Sequence, residues 1–437
     1  MKTLWAALVL GLLLLVGCLP NPVSVSKDGT IALTLSETGE YELVQGERQQ
    51  VYLTNANADF LTKVEGMEKC RMPVISPSGR YIVACSDEEL LLHDRKAKKD
   101  RVIYRAREGD SDGTLNFPVW SPNEKKVAFF AEGFGPDDLP TLKVYDVRRR
   151  ELEVLARRAS PQAAWLPDSK RLLYMSFPPG ISEDGGAPFA DLNMINVRTG
   201  RQRTLAREQL AWLNKIAVFP DGKAILFPCA SWDLAELGPT GLAIPIVLKK
   251  QSLPTAGKKA AARESDEAEG EKTAGPDTEK AQSAPTEEEK EEGFVLKEGQ
   301  PFYPCTCAVS PDGKKIAYVR YIWLSPPVEA PEDAEQEETE ESGEEETEPP
   351  RGVEFCVAEA DGTGIVAVAR SEESENAQVV WVGNTRLLCV TEEEIVAVDA
   401  DGKNALDLVE AIRTKFADRF EQKPEEEETE ETAQGST

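Results

Sequence analysis

Cys307-Ala-Val-Ser-Pro-Asp-Gly-Lys-Lys-Ile-Ala-Tyr-Val-Arg320 reads as a strand, a turn and a second strand, and it recurs. Aligned on the proline slot, the copies fall at Lys27, Pro77, Pro122, Pro167, Pro220, Pro311 and Gly383. Successive gaps are 50, 45, 45, 53, 91 and 72 residues. The last two shorten to 54 and 47 when the low-complexity runs at 257–293 and 326–350 are removed. Each copy has a local reason: Pro presets the second position of a tight turn, Asp or Asn tolerates the third, and Gly supplies positive φ at little cost. The flanking residues, such as Val119 and Trp120 before a turn and Val127, Phe129 and Phe130 after it, suit strands buried on both sides. A period near 45 residues with one such hairpin per repeat predicts a β-propeller.

A second pair of strands follows about 20 residues later in the repeat, as in Leu142-Lys-Val-Tyr-Asp-Val with Glu151-Leu-Glu-Val-Leu. One repeat is then a four-stranded blade, A-B-C-D, and seven repeats predict an all-β, seven-bladed propeller over 23–405. At these residues the chain resembles the TolB-type, WD40-like propeller repeat, most closely at 307–320, well at 74–85, 119–130, 164–177 and 217–228, and weakly at 25–35 and 380–391. The resemblance implies the fold and leaves function open, because such repeats serve envelope proteins, cell-surface binding proteins and the propellers of prolyl-oligopeptidase-like enzymes. The separate N-terminal α/β domain of TolB has no counterpart in this reading, so the role of that protein is not carried over.

Ahead of the first repeat, an apolar run from Leu4 to Val16 ends in Leu15-Val16-Gly17-Cys18. Thirteen residues are short for a bilayer span of ~20 but suit the core of a secretory signal peptide. The last four residues match the bacterial lipobox. The match implies a signal peptide over 1–17, a lipid on Cys18, an anchor segment over 18–22 and, with Leu19 rather than Asp next, the outer membrane of a Gram-negative source. The expected localisation is extracytoplasmic and lipid-anchored, with the bacterial membrane as a partner through that lipid.

The net charge of −28 is concentrated rather than spread. Residues 257–293 hold 12 acids and 6 bases, 326–350 hold 12 and none, and the tail at 421–437 holds 7 and 1. These runs are nearly free of aromatics and cannot bury enough apolar surface to offset the entropy of ordering, so disorder is expected in all three. The rest of the chain has no basic footprint for a phosphate backbone, which argues against nucleic acid. Between the last repeat and the tail, Leu408, Ile412, Phe416 and Phe420 recur every fourth residue and predict an amphipathic helix over 406–420.

Strand direction divides the propeller into two faces. The A–B and C–D turns are short and share one face. The B–C loops share the other, and four of them are long: 131–141, 177–191, 230–243 and 322–352. Loops held by a rigid scaffold are where binding usually resides. They carry Phe134, Asp137, Asp138, Glu183, Asp184, Trp232, Asp233 and Trp323, of which Phe134, Asp137, Asp138, Trp232, Asp233 and Trp323 are the candidate binding residues.

Catalytic signals are weak. Gly109-Asp-Ser111-Asp-Gly113 fits Gly-x-Ser-x-Gly in spacing only, and the single histidine, His93, precedes it where a hydrolase places histidine last. Asp110-x-Asp112-Gly113 lacks the closing Glu of a calcium loop, Val119 standing there, and Asp399-x-Asp401-Gly402 reads as a hairpin turn. Cys305 and Cys307 have no second pair at zinc spacing. No catalytic residue, metal or cofactor is therefore assigned. Cys70 and Cys85 flank the turn at Pro77 nearly symmetrically and are the candidate disulfide. The expected function is non-enzymatic protein binding or scaffolding in the cell envelope. A glycan-binding site or a carboxylate-dependent glycosidase or lyase in the funnel is the alternative.

Overall fold

The computed structural model describes residues 23–41, 49–86, 89–106, 116–131, 140–177, 189–210, 215–230, 236–238, 241–243, 246–254, 306–323, 351–372 and 377–420. Seven antiparallel sheets follow one another along the chain. Blade 1 is β1 (Val23–Val25), β2 (Ile31–Leu35), β3 (Gln50–Thr54) and β4 (Thr62–Glu68). Blade 2 is β5 (Arg71–Ile75), β6 (Tyr81–Cys85), β7 (Glu89–Asp94) and β8 (Lys99–Arg105). Blade 3 is β9 (Asn116–Trp120), β10 (Lys126–Ala131), β11 (Thr141–Asp146) and β12 (Glu151–Ala156), and blade 4 is β13 (Ala159–Trp165), β14 (Arg171–Ser176), β15 (Phe189–Asn196) and β16 (Gln202–Leu210).

Blade 5 has β17 (Ala217–Val218), β18 (Ala224–Ala230) and β21 (Ile246–Ser252), with a separate hairpin of β19 (Glu236–Gly238) and β20 (Gly241–Ala243) between its second and third strands. Its expected outer strand lies outside the described residues. Blade 6 is β22 (Cys307–Val309), β23 (Lys315–Trp323), β24 (Arg351–Glu359) and β25 (Val366–Ser371), and blade 7 is β26 (Gln378–Val382), β27 (Arg386–Val390), β28 (Ile395–Asp399) and β29 (Leu406–Asp407). The first strand of each blade touches the first strand of the next all the way round, so these strands line the axis of a closed seven-bladed propeller.

Period-two alternation with both faces apolar is what makes the blades stack. In β18, Ile225 and Phe227 pack against blade 4 while Leu226, between them, packs against blade 6. Each neighbouring pair of blades encloses one apolar cluster, seven in all among the described residues.

Near the axis, Trp120, Trp165 and Trp381 occupy the same slot at the end of the first strand. Each indole N–H donates to a first-strand carbonyl of the preceding blade: Val74 at 2.9 Å, Val119 at 3.2 Å and Ala308 at 3.3 Å. In blade 1 Ser24 does similar work, its hydroxyl donating to the Pro73 carbonyl and accepting from the Ile75 N–H, both at 2.8 Å. Trp165→Phe removes one staple between blades 3 and 4, so a loss of about 0.5–1.5 kcal/mol is expected from the denaturation midpoint. An unchanged midpoint would show the staple to be incidental.

The A–B turns form a second ring. Lys27 N–H donates to the Pro77 carbonyl at 2.9 Å, Ser78 hydroxyl to Glu124 Oε2 at 2.6 Å, Asn123 N–H to Ser169 Oγ at 3.1 Å and Asp312 N–H to Asn384 Oδ1 at 3.0 Å. Where Gly222 and Gly313 stand, the proline of the preceding turn packs so closely that an added Cβ would meet Pro167 at 3.3 Å and Pro220 at 3.2 Å. Gly29 approaches Val382 of blade 7 and completes the circuit. Glu124 and Ser169 hold the glycine slot at φ 58° and 57°. Positive φ is unfavourable for a side chain, and in both turns that side chain is the one bonded to the neighbouring blade.

The expected helix over 406–420 is shorter. Leu406 and Asp407 pair with β28 as the outer strand of blade 7, and Asp407 then caps α1 (Leu408–Lys415) by accepting from the Glu410 N–H at 3.0 Å. A 3₁₀ turn, Ala417–Arg419, follows. No described helix is long and apolar enough to cross a membrane. The lipobox with Cys18, the acidic segments at 257–293 and 326–350, and the tail at 421–437 lie outside the described residues.

Candidate binding face

The second and third strands of every blade run up to, and back from, the face opposite the A–B turns. Four of their connections are long, leaving from Ala131, Ser176, Ala230 and Trp323 and returning at Thr141, Phe189, Ile246 and Arg351. They belong to blades 3 to 6, as the sequence predicts. Blade 1 adds a fifth, from Leu35 to Gln50, which the repeat spacing did not single out. Phe134, Asp137, Asp138, Glu183, Asp184, Trp232 and Asp233 fall outside the described residues. Trp323 is not in a loop: β23 and β24 pair as far as Trp323 and Arg351, so the blade 6 connection starts one residue later. The β19–β20 hairpin shows that the blade 5 connection is itself built of strand.

Several polar side chains buried near this face are matched within the protein. Arg320, Glu354 and Arg370 stand side by side across β23, β24 and β25. Glu354 is 1% exposed, accepts from Arg370 Nε at 2.7 Å, and is also gripped by Arg320. Burial would raise its pKa, but the hydrogen bonds from Arg320 and Arg370 outweigh that and hold the carboxyl below its usual range. A carboxylate so engaged is unsuited to be a general base. Asn193, also buried, donates to Ser176 Oγ and the Asp191 carbonyl and accepts from Gln202 and Thr204. Buried Lys143 places its ammonium 3.1 Å from the Tyr104 hydroxyl and 4.4 Å from that ring's centre. His93 lies in the third strand of blade 2, away from the axis, with Nδ1 2.6 Å from Asp100 Oδ1.

The cysteines are structural among the described residues. Cys70, Cys85, Cys307, Cys356 and Cys389 are all buried thiols. Burial pushes the thiols of Cys85, Cys307 and Cys356 up to about 12 and raises that of Cys389 as well, so none is a thiolate at neutral pH. Cys70 and Cys85 do not form the disulfide that their spacing suggests. The residue opposite Cys85 is Arg71, and the register shifts between Arg71 and Val74. Cys70 consequently packs between blades 1 and 2, and Cys85 between blades 2 and 3. The described residues contain no cluster of three or more potential metal ligands. Asp399 and Asp401 belong to a hairpin turn in which Asp401 pairs with Lys403 at 2.8 Å.

No protein-family model and no curated protein matches the sequence. Solved structures resemble it in shape. The β-propeller domain of the trilobed protease from Pyrococcus furiosus is similar over 90% of this chain and 95% of its own, with 12% identity and a TM-score of 0.49. Oligogalacturonate lyase from Vibrio parahaemolyticus matches over 88% and 91%, with 12% identity and a TM-score of 0.49. TolB from Acinetobacter baumannii matches over 86% and 78%, with 11% identity and a TM-score of 0.38. These likenesses concern the fold alone, and an enzyme stands among them beside TolB.

Proposed function

We propose that the protein is a lipid-anchored, extracytoplasmic propeller that works without catalysis as a protein-binding or scaffolding module of the bacterial cell envelope, with its partner on the B–C loop face. The observation that carries this reading is the asymmetry of the two ends. One end is locked by seven successive turn-to-turn contacts. The other carries long connections from blades 1 and 3 to 6. A rigid ring presenting variable-length loops on one side is a binding scaffold. Internal matching of Glu354 favours binding over acid–base chemistry, since a carboxylate held by two arginines has little proton affinity to offer.

The test is a pull-down from solubilised native envelope with residues 22–437, beside a variant in which Phe134, Trp232 and Trp323 are changed to Ala. A partner held by the first and lost by the second is the expected result. Retention of the same partner by both moves the binding surface elsewhere, and capture of nothing by either, together with binding on a glycan array, would replace the protein-binding reading with a glycan-binding one.

A further inference from the structure

The position of β1 fixes which face can look toward the membrane. β1 is the first strand of blade 1 and lines the axis. Val23 pairs with Leu33, while the A–B turn lies at the far end, after Val25. The chain thus enters the propeller at the centre of the loop face. Only five Cα–Cα steps separate Cys18 from Val23, and at full extension they span at most about 18 Å. A blade five to six residues tall is itself ~17–20 Å high. Turning the opposite face to the membrane would use the whole tether merely to traverse the axis. Lying on its side would require the tether to clear three further strands, or ~14 Å at ~4.8 Å per strand, before it reached the rim.

We infer that the loop face is held toward the membrane carrying the Cys18 lipid, within a tether's length of its surface, and that the partner of this face is a membrane-resident protein. The inference rests on the lipid-anchor reading given above. Charge supports a stand-off rather than flat adsorption. The blade 6 connection on this face contains residues 326–350, with 12 acids and no base, which anionic headgroups repel. The opposite face carries the exposed C–D turns of blades 2 to 4, with Lys98, Lys99, Arg148, Arg150, Arg198 and Arg201. Acidic residues share that face, with Asp94, Asp100, Asp146 and Glu151 beside the same turns and the 12 acids of 257–293 in the blade 5 connection that follows β21, so charge does not choose between the two faces and the tether decides which of them looks toward the bilayer.

Energy transfer to the bilayer distinguishes them. The lipidated full-length protein, with Cys229 and Cys305 changed to Ser, is placed in phosphatidylcholine vesicles containing an acceptor-labelled lipid. A donor dye is attached through Glu393→Cys on the loop face or through Lys223→Cys in an A–B turn, both exposed positions. Transfer from position 393 is expected to exceed that from 223 several-fold, and ten Gly/Ser residues inserted between Pro22 and Val23 should shrink the difference. Equal transfer, or more from 223, in the protein with its natural tether overturns the orientation while leaving the anchor intact. If Cys18→Ser floats with the vesicles as fully as the parent protein, the anchor reading fails and the orientation falls with it.

Discussion

Arg320→Met should destabilise the propeller by ~3–5 kcal/mol at neutral pH, the range for stranding one member of a buried ion pair. Glu354 is the buried acidic residue among those described, and its carboxylate has two arginine partners. They are not equivalent. The Arg370 side chain is 71% exposed, whereas that of Arg320 is 21% exposed. Water screens the first, so Arg370→Met should cost no more than ~1 kcal/mol. The pH dependence gives the prediction its sign. Glu354 has a folded pKa below its ordinary value of 4.5. Its ionised form therefore contributes stability that is fully present above pH 4.5 and is lost as pH falls through the folded value. With Arg320 gone, burial pushes the carboxyl up and the variant gains relative stability on protonation. Denaturant melts at neutral pH and below pH 4.5 should show the gap between parent and variant narrowing in acid. A loss under ~1 kcal/mol, or a gap independent of pH, would mean that the pair is not the tie across this sheet.

That triad was not legible in the sequence, because its members are 34 and 16 residues apart and meet only through the register of three strands. The ring itself was legible. Turn chemistry is local, so Ser310-Pro311-Asp312-Gly313 announces its reversal wherever it stands, and seven such signals at one spacing leave little choice of fold. What spacing cannot convey is the direction in which a side chain leaves its strand after an irregularity. The shift between Arg71 and Val74 put Cys70 and Cys85 in different interfaces, although their distances from the turn are nearly equal. The indole staples had a signal, since Trp120, Trp165 and Trp381 share one slot, but their acceptors belong to another blade and no local pattern names them. Leu406 and Asp407 fit the helical period and are nonetheless taken by β28, a tertiary contact overriding a local preference. For the binding face, element order gave the end of the propeller and the blades that build it, while no repeat constrains its individual residues: Trp323 is held in β23, and the others fall outside the described residues.

Removing residues 408–437 should open the ring. Blade 1 is built from β1 to β4 and blade 7 from β26 to β29, so no strand is exchanged between the ends of the chain among the described residues. Closure falls to side chains. Val23, Ile31 and Leu33 of blade 1 meet Leu388, Val390 and Ala397 of blade 7, and α1 lays Leu408, Val409 and Ile412 into the same cluster. Leu408 and Ile412 are both fully buried. Beyond the helix, the Phe420 ring sits 6.0 Å from that of Tyr52 and packs over Gly39, where an added Cβ would strike it at 2.9 Å. Polar contacts fasten the strap to blade 1: Lys415 donates to the Asn57 carbonyl at 2.7 Å, and Arg419 to that of Leu61. Truncating Leu408 or Ile412 to Ala should each cost ~2–5 kcal/mol, and the pair together approaches the ~5–15 kcal/mol that a whole domain commands. The double variant should therefore melt well below the parent and be cut by protease first at the seam between blades 7 and 1, whereas Thr414→Ala on the exposed side of α1 should do neither. A double variant with the parent's melting temperature and the parent's proteolytic pattern would show that strands alone hold the ring shut.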